Sequence, residues 1–205
     1  MSDCDCSVEV ESREQRRVLI VLLAINAAMF VAEVVTGVLA ESTGLIADSL
    51  DMLADATVYG IALYAVGGAA SVKIRAATIS GYFQIALALI VVFDVTRRAI
   101  FGSDPEPGYM VLVGFAALIA NVICLRLIAK HRDGGVHMRA SYIFSRNDVI
   151  ANAGVILGGV LVYATGVRWP DLVIGAIIAL VVFRGGLAII ADARREQARA
   201  ANDRI

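Results

Sequence analysis

From residue 17 onward, long apolar runs alternate with short polar breaks, and the lengths of the runs set the architecture. A bilayer core about 30 Å thick takes roughly 20 apolar residues per helix. Six segments reach that length with modest tolerance for interior charge: 17–40, 44–70, 74–100, 108–130, 139–165 and 170–192. The breaks between them, "ESTG", "SVKIR", "GSDPEPG", "KHRDGGVHMR" and "RWPD", carry turn residues or charge. All are short, so consecutive helices are expected to run antiparallel. The pattern predicts an all-α integral membrane protein, a bundle of six transmembrane helices. It is divided into an N-terminal tail (1–16), a transmembrane domain (17–192) and a short C-terminal tail (193–205). That last stretch, "ADARREQARAANDRI", reads as a charged helix end too short to bury a core of its own.

Composition narrows the class further. Hydrophobic residues make up 59% of the 205, and mean hydropathy is +0.77, which places the chain in lipid. Net charge is −1 and the basic residues are scattered between apolar runs, so there is no nucleic-acid footprint. The polar start "MSDCDCSVEVESREQRR" lacks a small-residue cleavage site and predicts no cleaved signal. Cys4, Cys6 and Cys124 make no disulfide framework and read as free thiols. No paired nucleophile and base and no phosphate-cradling glycine loop suggest an enzyme.

Lysine and arginine set the expected orientation, because cytoplasmic flanks are enriched in them. Arg13, Arg16 and Arg17, then Lys73 and Arg75, then Lys130, Arg132 and Arg139, and finally Arg194, Arg195 and Arg199 all fall on one side. The other side has Arg97, Arg98 and Arg168 against Glu41, Asp104, Glu106 and Asp171. Both termini are therefore expected in the cytoplasm, with a bacterial inner membrane as the setting.

Against this apolar background, "IADSLDMLAD" (46–55) puts three aspartates into the second span. A carboxylate in lipid costs several kcal/mol, so such residues face a protein interior or a watery cavity. Asp48, Asp51 and Asp55 follow i, i+3, i+7 and share one side of a helix. Asp51 and Asp55, one turn apart, can direct oxygens into one space, a half-site for a divalent cation. Span five offers the other half in "FSRNDVIAN", where Asp148 is flanked by Asn147 and followed one turn later by Asn152. Span two runs inward and span five outward, so Asp55 and Asp148 reach similar depths near the midplane. Carboxylates crowded there repel when empty and favour protons, and a metal ion displaces those protons.

Structural roles compete with this reading. Asp48 can serve equally as a first-turn acid. Asn147, Asn152 and Asn26 can be interhelical hydrogen-bond partners rather than ligands. Asp94 precedes Arg97 and Arg98 and most simply pairs with them, Asp171 reads as a first-turn acid, and Glu33 as a pathway or proton residue. Gly154 and Gly158 match a close-packing motif. In "DCDC", Asp3, Cys4, Asp5 and Cys6 could capture a borderline-soft cation, or belong to a disordered tail.

"STGLIADSLDMLADA" followed by "RNDVIANAGVI" in a six-span chain resembles the cation diffusion facilitator family of metal/proton antiporters. The resemblance covers essentially the whole membrane domain. It implies a homodimer working by alternating access, with dimerisation here through the transmembrane helices. It also implies a tetrahedral site with paired ligands on the second and fifth spans. Asp51 and Asp55 match the first pair and Asp148 the last member of the second. Phe144 stands at the remaining position and cannot ligate, so Asn147, Ser145, Asn152, a water or a span-one residue would supply the fourth donor. No ferredoxin-like C-terminal domain and no histidine-rich loop are seen, only His131 and His137, so the sequence resembles a short branch of the family.

The oxygen-rich site suits manganese, iron, cobalt or zinc. The resemblance and the thiol tail favour zinc, with cadmium as its mimic. The expected activity is efflux of a divalent cation in exchange for protons. A passive cation channel and a non-transporting metal sensor or scaffold are the alternatives from other classes.

Overall fold

The computed structural model describes the backbone of residues 3–39, 43–102 and 107–202, and the side chains of 11–35, 50–102, 107–108 and 110–202. Six helices account for nearly all of it: α1 (Asp3–Leu39), α2 (Thr43–Ala65), α3 (Ala70–Phe101), α4 (Pro107–Ala129), α5 (Val136–Thr165) and α6 (Trp169–Asn202). Among the described residues, five stretches are long and apolar enough to cross a membrane: Glu11–Val35, Ala70–Phe101, Met110–Ala129, Val136–Thr165 and Trp169–Asn202. The remaining helix, α2, carries the aspartates, and its described side chains begin at Leu50. The all-helical membrane bundle expected from the apolar runs is what forms.

Two boundaries differ from the sequence expectation. The second helix ends at Ala65 rather than near 70, because Gly67 takes a left-handed φ of 75° that side-chain-bearing residues resist. The charged "SVKIR" is no break. It forms the first turns of α3, where Val72 and Lys73 donate their amides to the Ala69 carbonyl. The stretch expected as a tail is helical from Asp3, in keeping with a segment that contains neither glycine nor proline. Proline appears where helices tolerate it, Pro107 opening α4 and Pro170 in the first turn of α6.

Helix pairing is α1 with α2, α4 with α5, and α3 with α6, while α5 also leans on α6 and touches α2 and α3. Small residues let the backbones approach. A Cβ added at Gly186 of α6 would lie 2.9 Å from the Gly81 carbonyl of α3, so glycine is required at that crossing. Gly154 and Gly158 pack against Ile174 and Ile178 of α6 and Met110 of α4, the helix contact their spacing suggested. One apolar cluster joins α1, α2, α4 and α5 through Leu19, Leu22, Tyr59, Ala62, Cys124, Ile128 and Met138. A second joins α3, α5 and α6 through Ala77, Val136, Ala140, Ile189 and Ala193.

Outward surfaces are apolar, with Phe93, Leu112 and Ile90 among the exposed large side chains, as lipid contact demands. Tyr64, Tyr163 and Trp169 are exposed close to helix ends, the interfacial position aromatic rings favour. Asp94 pairs with Arg97 at 2.8 Å and with Arg98 at 2.5 Å, as its spacing implied. Arg98 reaches on to Asp171, the first-turn acid of α6, at 3.9 Å and ties α3 to α6. At the other end, Gln15 of α1 donates to the Gly134 carbonyl in the α4–α5 turn at 3.2 Å.

Candidate functional site

At the seam where α2 meets α5, Asp55 is wholly buried. Among the described residues, no N–H or hydroxyl donor reaches either of its oxygens. The group facing it is the carboxyl of Asp148, 6% exposed and within hydrogen-bonding reach, so the two acids can share a single proton. Asp51, one turn before Asp55 and half-buried, lies close enough for its charge to bear on both. Neither Asp55 nor Asp148 makes a salt bridge among the described residues. A buried acid pair without a cation is costly unless a proton or metal ion neutralises it. The described residues gather no three His, Cys, Asp or Glu side chains into a ready coordination sphere: two carboxyls meet and the third stands off by a turn.

Further polar groups surround the pair. Tyr59, one turn after Asp55 and fully buried, is within reach of Ser145 on α5 and feels the charge of both aspartates. Cys124 of α4 is buried beside them and accepts a hydrogen bond from Asn26 of α1 at 3.5 Å. Asn121, three residues before Cys124, is fully buried with its amide unpartnered. Four helices thus feed one polar layer in an otherwise apolar bundle.

The other sequence candidates fall in different places. Asn152 is buried one turn beyond Asp148, and its Nδ2 has no partner. Asn147 turns toward α6, its amide packed against Gly185 with Gln84 of α3 at the same notch. It therefore belongs to the α3–α5–α6 packing. Phe144, 1% exposed, fills the turn before Asp148 with an apolar ring. Glu33 is buried far along α1. His131 lines a shallow vestibule with Glu14, Arg17, Val18 and Lys130, whereas His137 is buried near Lys73. The side chains of Asp48 and of Asp3, Cys4, Asp5 and Cys6 lie outside the described residues.

Sequence reading missed Tyr59, Cys124, Asn121 and Gln84 as members of the polar interior. The available signal was polarity within a span: Asn121 and Cys124 interrupt "GFAALIANVICLRLIA", and a buried amide in lipid needs a reason.

Bilayer-length helices around a sealed acid pair define a multi-pass membrane protein with an internal polar site. The chain belongs to the cation efflux family, the cation diffusion facilitators, for residues 19–196 match its "Cation efflux transmembrane domain". The sequence resemblance is borne out by that match. The chain is 28% identical over 176 residues to the metal cation efflux system protein CzcD of Cupriavidus metallidurans, covering 80% of this chain and 56% of that protein. It is 24% identical over 199 residues to the zinc transporter ZitB of Escherichia coli, covering 91% and 63% respectively. A third relative is the cadmium, cobalt and zinc/H(+)-K(+) antiporter of Bacillus subtilis, 24% identical over 124 residues, with 58% of this chain and 39% of that protein covered. The chain spans a little over half the length of CzcD, which it matches with the highest identity of these three.

Proposed function

We propose that this chain exports a divalent metal cation from the cytoplasm in exchange for protons, with Asp51, Asp55 and Asp148 as the exchange site. The observation that carries this reading is the buried Asp55–Asp148 pair, joined from two helices with no basic partner among the described residues and with Asp51 one turn away. Such a pair is neutralised in two ways, by protons or by a doubly charged ion, and the two compete for the same oxygens. Entry of the cation moves Asp51 by part of a turn toward the pair and drives out the shared proton. Departure of the cation restores it. Coupling follows because the emptied site cannot remain doubly charged in lipid.

Alternating access follows from the position of the site at a seam between helices, where small shifts of α2 against α5 open it to one side or the other. Zinc is the favoured cargo, since ZitB is a zinc transporter and the antiporter of Bacillus subtilis is named for cadmium, cobalt and zinc. Cadmium, cobalt, manganese and iron are the secondary candidates on oxygen-rich chemistry. Basic flanks support an orientation with both termini on the cytoplasmic side of a bacterial inner membrane. The working unit is a homodimer joined through its membrane helices, and "DCDC" collects cations at the cytoplasmic mouth.

The test is zinc flux into proteoliposomes with and without an imposed pH difference. Uptake should follow the gradient and disappear in Asp148→Asn. Flux that ignores the gradient would identify a passive channel, and zinc binding without flux would identify a sensor.

A further inference from the structure

We infer that the vestibule between α1 and the end of α4 binds the phosphodiester headgroup of an anionic phospholipid, whose acyl chains run down between the two helices. The inference is independent of the exchange reaction above.

The vestibule is a cavity of about 450 Å³, lined by Glu14, Arg17 and Val18 of α1 and by Lys130 and His131 just past the end of α4. Two cations meet one carboxylate there, so the lining is net positive. Although Glu14 shares the cavity, neither Arg17 nor Lys130 makes an ion pair among the described residues. The nearby Arg132, by contrast, is engaged by Asp133 at 3.6 Å and by the Tyr142 ring at 5.8 Å. Gln15 holds the two walls together: its amide donates at 3.2 Å to the Gly134 carbonyl, in the turn that carries Lys130 and His131. Arg17 and Lys130 are thus free to turn charge-assisted hydrogen bonds on an anion.

Depth and wall chemistry say which anion. Arg17 opens the first apolar run and Lys130 closes the fourth, which puts the cavity where hydrocarbon gives way to headgroups. Below it the walls are apolar. Val21 follows Arg17 by one turn and Ile123 precedes Lys130 by two, on the same helix faces, and both are exposed. Helices α1 and α4 touch only lightly, which leaves room for acyl chains between those faces. Arg126, exposed one turn before Lys130, has a stem long enough to carry its charge up to the same layer. Basic pockets between membrane helices attract anionic headgroups, and a free anion would gain nothing from Val21 and Ile123. The Arg17 guanidinium and the Lys130 ammonium can share the two free oxygens of a phosphodiester, while Glu14 accepts from headgroup hydroxyls. Phosphatidylglycerol offers both groups.

The experiment titrates the full chain in detergent with phosphatidylglycerol, phosphatidylethanolamine or phosphatidylcholine of identical acyl chains, and counts retained lipid by native mass spectrometry. Phosphatidylglycerol should be held about tenfold or more tightly than either of the others. Arg17→Gln and Lys130→Gln should each weaken it by about fivefold and the double variant by about twenty-five-fold, the worth of roughly 1 kcal/mol per cation at a membrane surface. Arg75→Gln removes an exposed cation from the same end of the bundle, outside the cavity, and should leave retention unchanged. Lys130→Arg keeps the charge and should keep the lipid. Far-ultraviolet circular dichroism and melting temperature check that each variant is folded. Equal retention of the three lipids would overturn the inference, as would a loss in Arg75→Gln equal to that in Lys130→Gln, which would reduce the effect to general surface charge. Displacement of bound phosphatidylglycerol by inorganic phosphate or glycerophosphoglycerol at matching concentration would make the cavity a free-anion site and overturn it too.

Discussion

Asp94 and Asp55 are both acids on membrane helices, yet their surroundings give them opposite roles. Asp94 is about a third exposed and held between Arg97 and Arg98, so its charge is matched at the helix end. Asp55 is sealed, and the charged groups that bear on it, Asp148 and Asp51, carry the same sign. Substitution should separate the two. Asp94→Asn is expected to cost no more than about 1 kcal/mol of stability, the usual worth of a partly exposed pair, and to leave zinc binding unchanged. Asp55→Asn and Asp148→Asn should fold as well as the parent, because an amide in this layer needs no counter-charge, but should bind zinc at least about a hundredfold more weakly. Calorimetric titration and thermal melting in the same detergent measure both quantities.

At the scale of helices, the six helices were legible because bilayer thickness leaves little choice of length, and apolar runs reported them directly, five of them long and apolar enough among the described residues to cross a membrane. The second boundary was misplaced because charge in "SVKIR" looked like a break, whereas the chain turns where Gly67 permits a left-handed backbone. Asp51, Asp55 and Asp148 were legible as well, since acids in lipid stand out against neighbours such as Leu50 and Ile150. What could not be read was the rotation of each helix about its axis. Asn147 and Asp148 are adjacent in sequence, yet a step of about 100° per residue sends one to Gly185 of α6 and the other to Asp55 of α2. Rotation is set by interhelical packing, and the tightest packing is at α3 and α6. Gly186→Ala would push a methyl group to within 2.9 Å of the Gly81 carbonyl, against backbone that cannot swing aside. It is expected to destabilise the bundle by about 1–3 kcal/mol, seen as a lowered melting temperature. Zinc affinity should fall much less, because the acid pair is on the opposite side of α5.

Over the whole bundle, α3 and α6 form one packed pair, α1 with α2 and α4 with α5 form two others, and α2 and α5 each touch members of both other pairs. The acid pair is at the contact between α2 and α5, which is far sparser than the three helix pairings, so displacement there disturbs little packing. A site there can change its exposure cheaply, and on the proposed exchange mechanism its occupancy is set by a contest between protons and metal. The sign of the pH effect follows. Lowering the pH refills Asp55 and Asp148 with protons and weakens the apparent affinity for zinc, by roughly tenfold per pH unit for each proton that one metal ion displaces. Raising the pH strengthens binding until the site enters the titration already deprotonated, after which affinity becomes independent of pH. Asp148→Asn removes one of the two sharing acids and should flatten the slope by one proton. Calorimetry in buffers of different ionisation enthalpy counts the same protons directly, because heat from the buffer scales with the number it absorbs. Agreement between the count and the slope in the parent, and a matching decrease of one in Asp148→Asn, is the expected result. An unchanged count in the variant would place the exchanged proton elsewhere in the bundle.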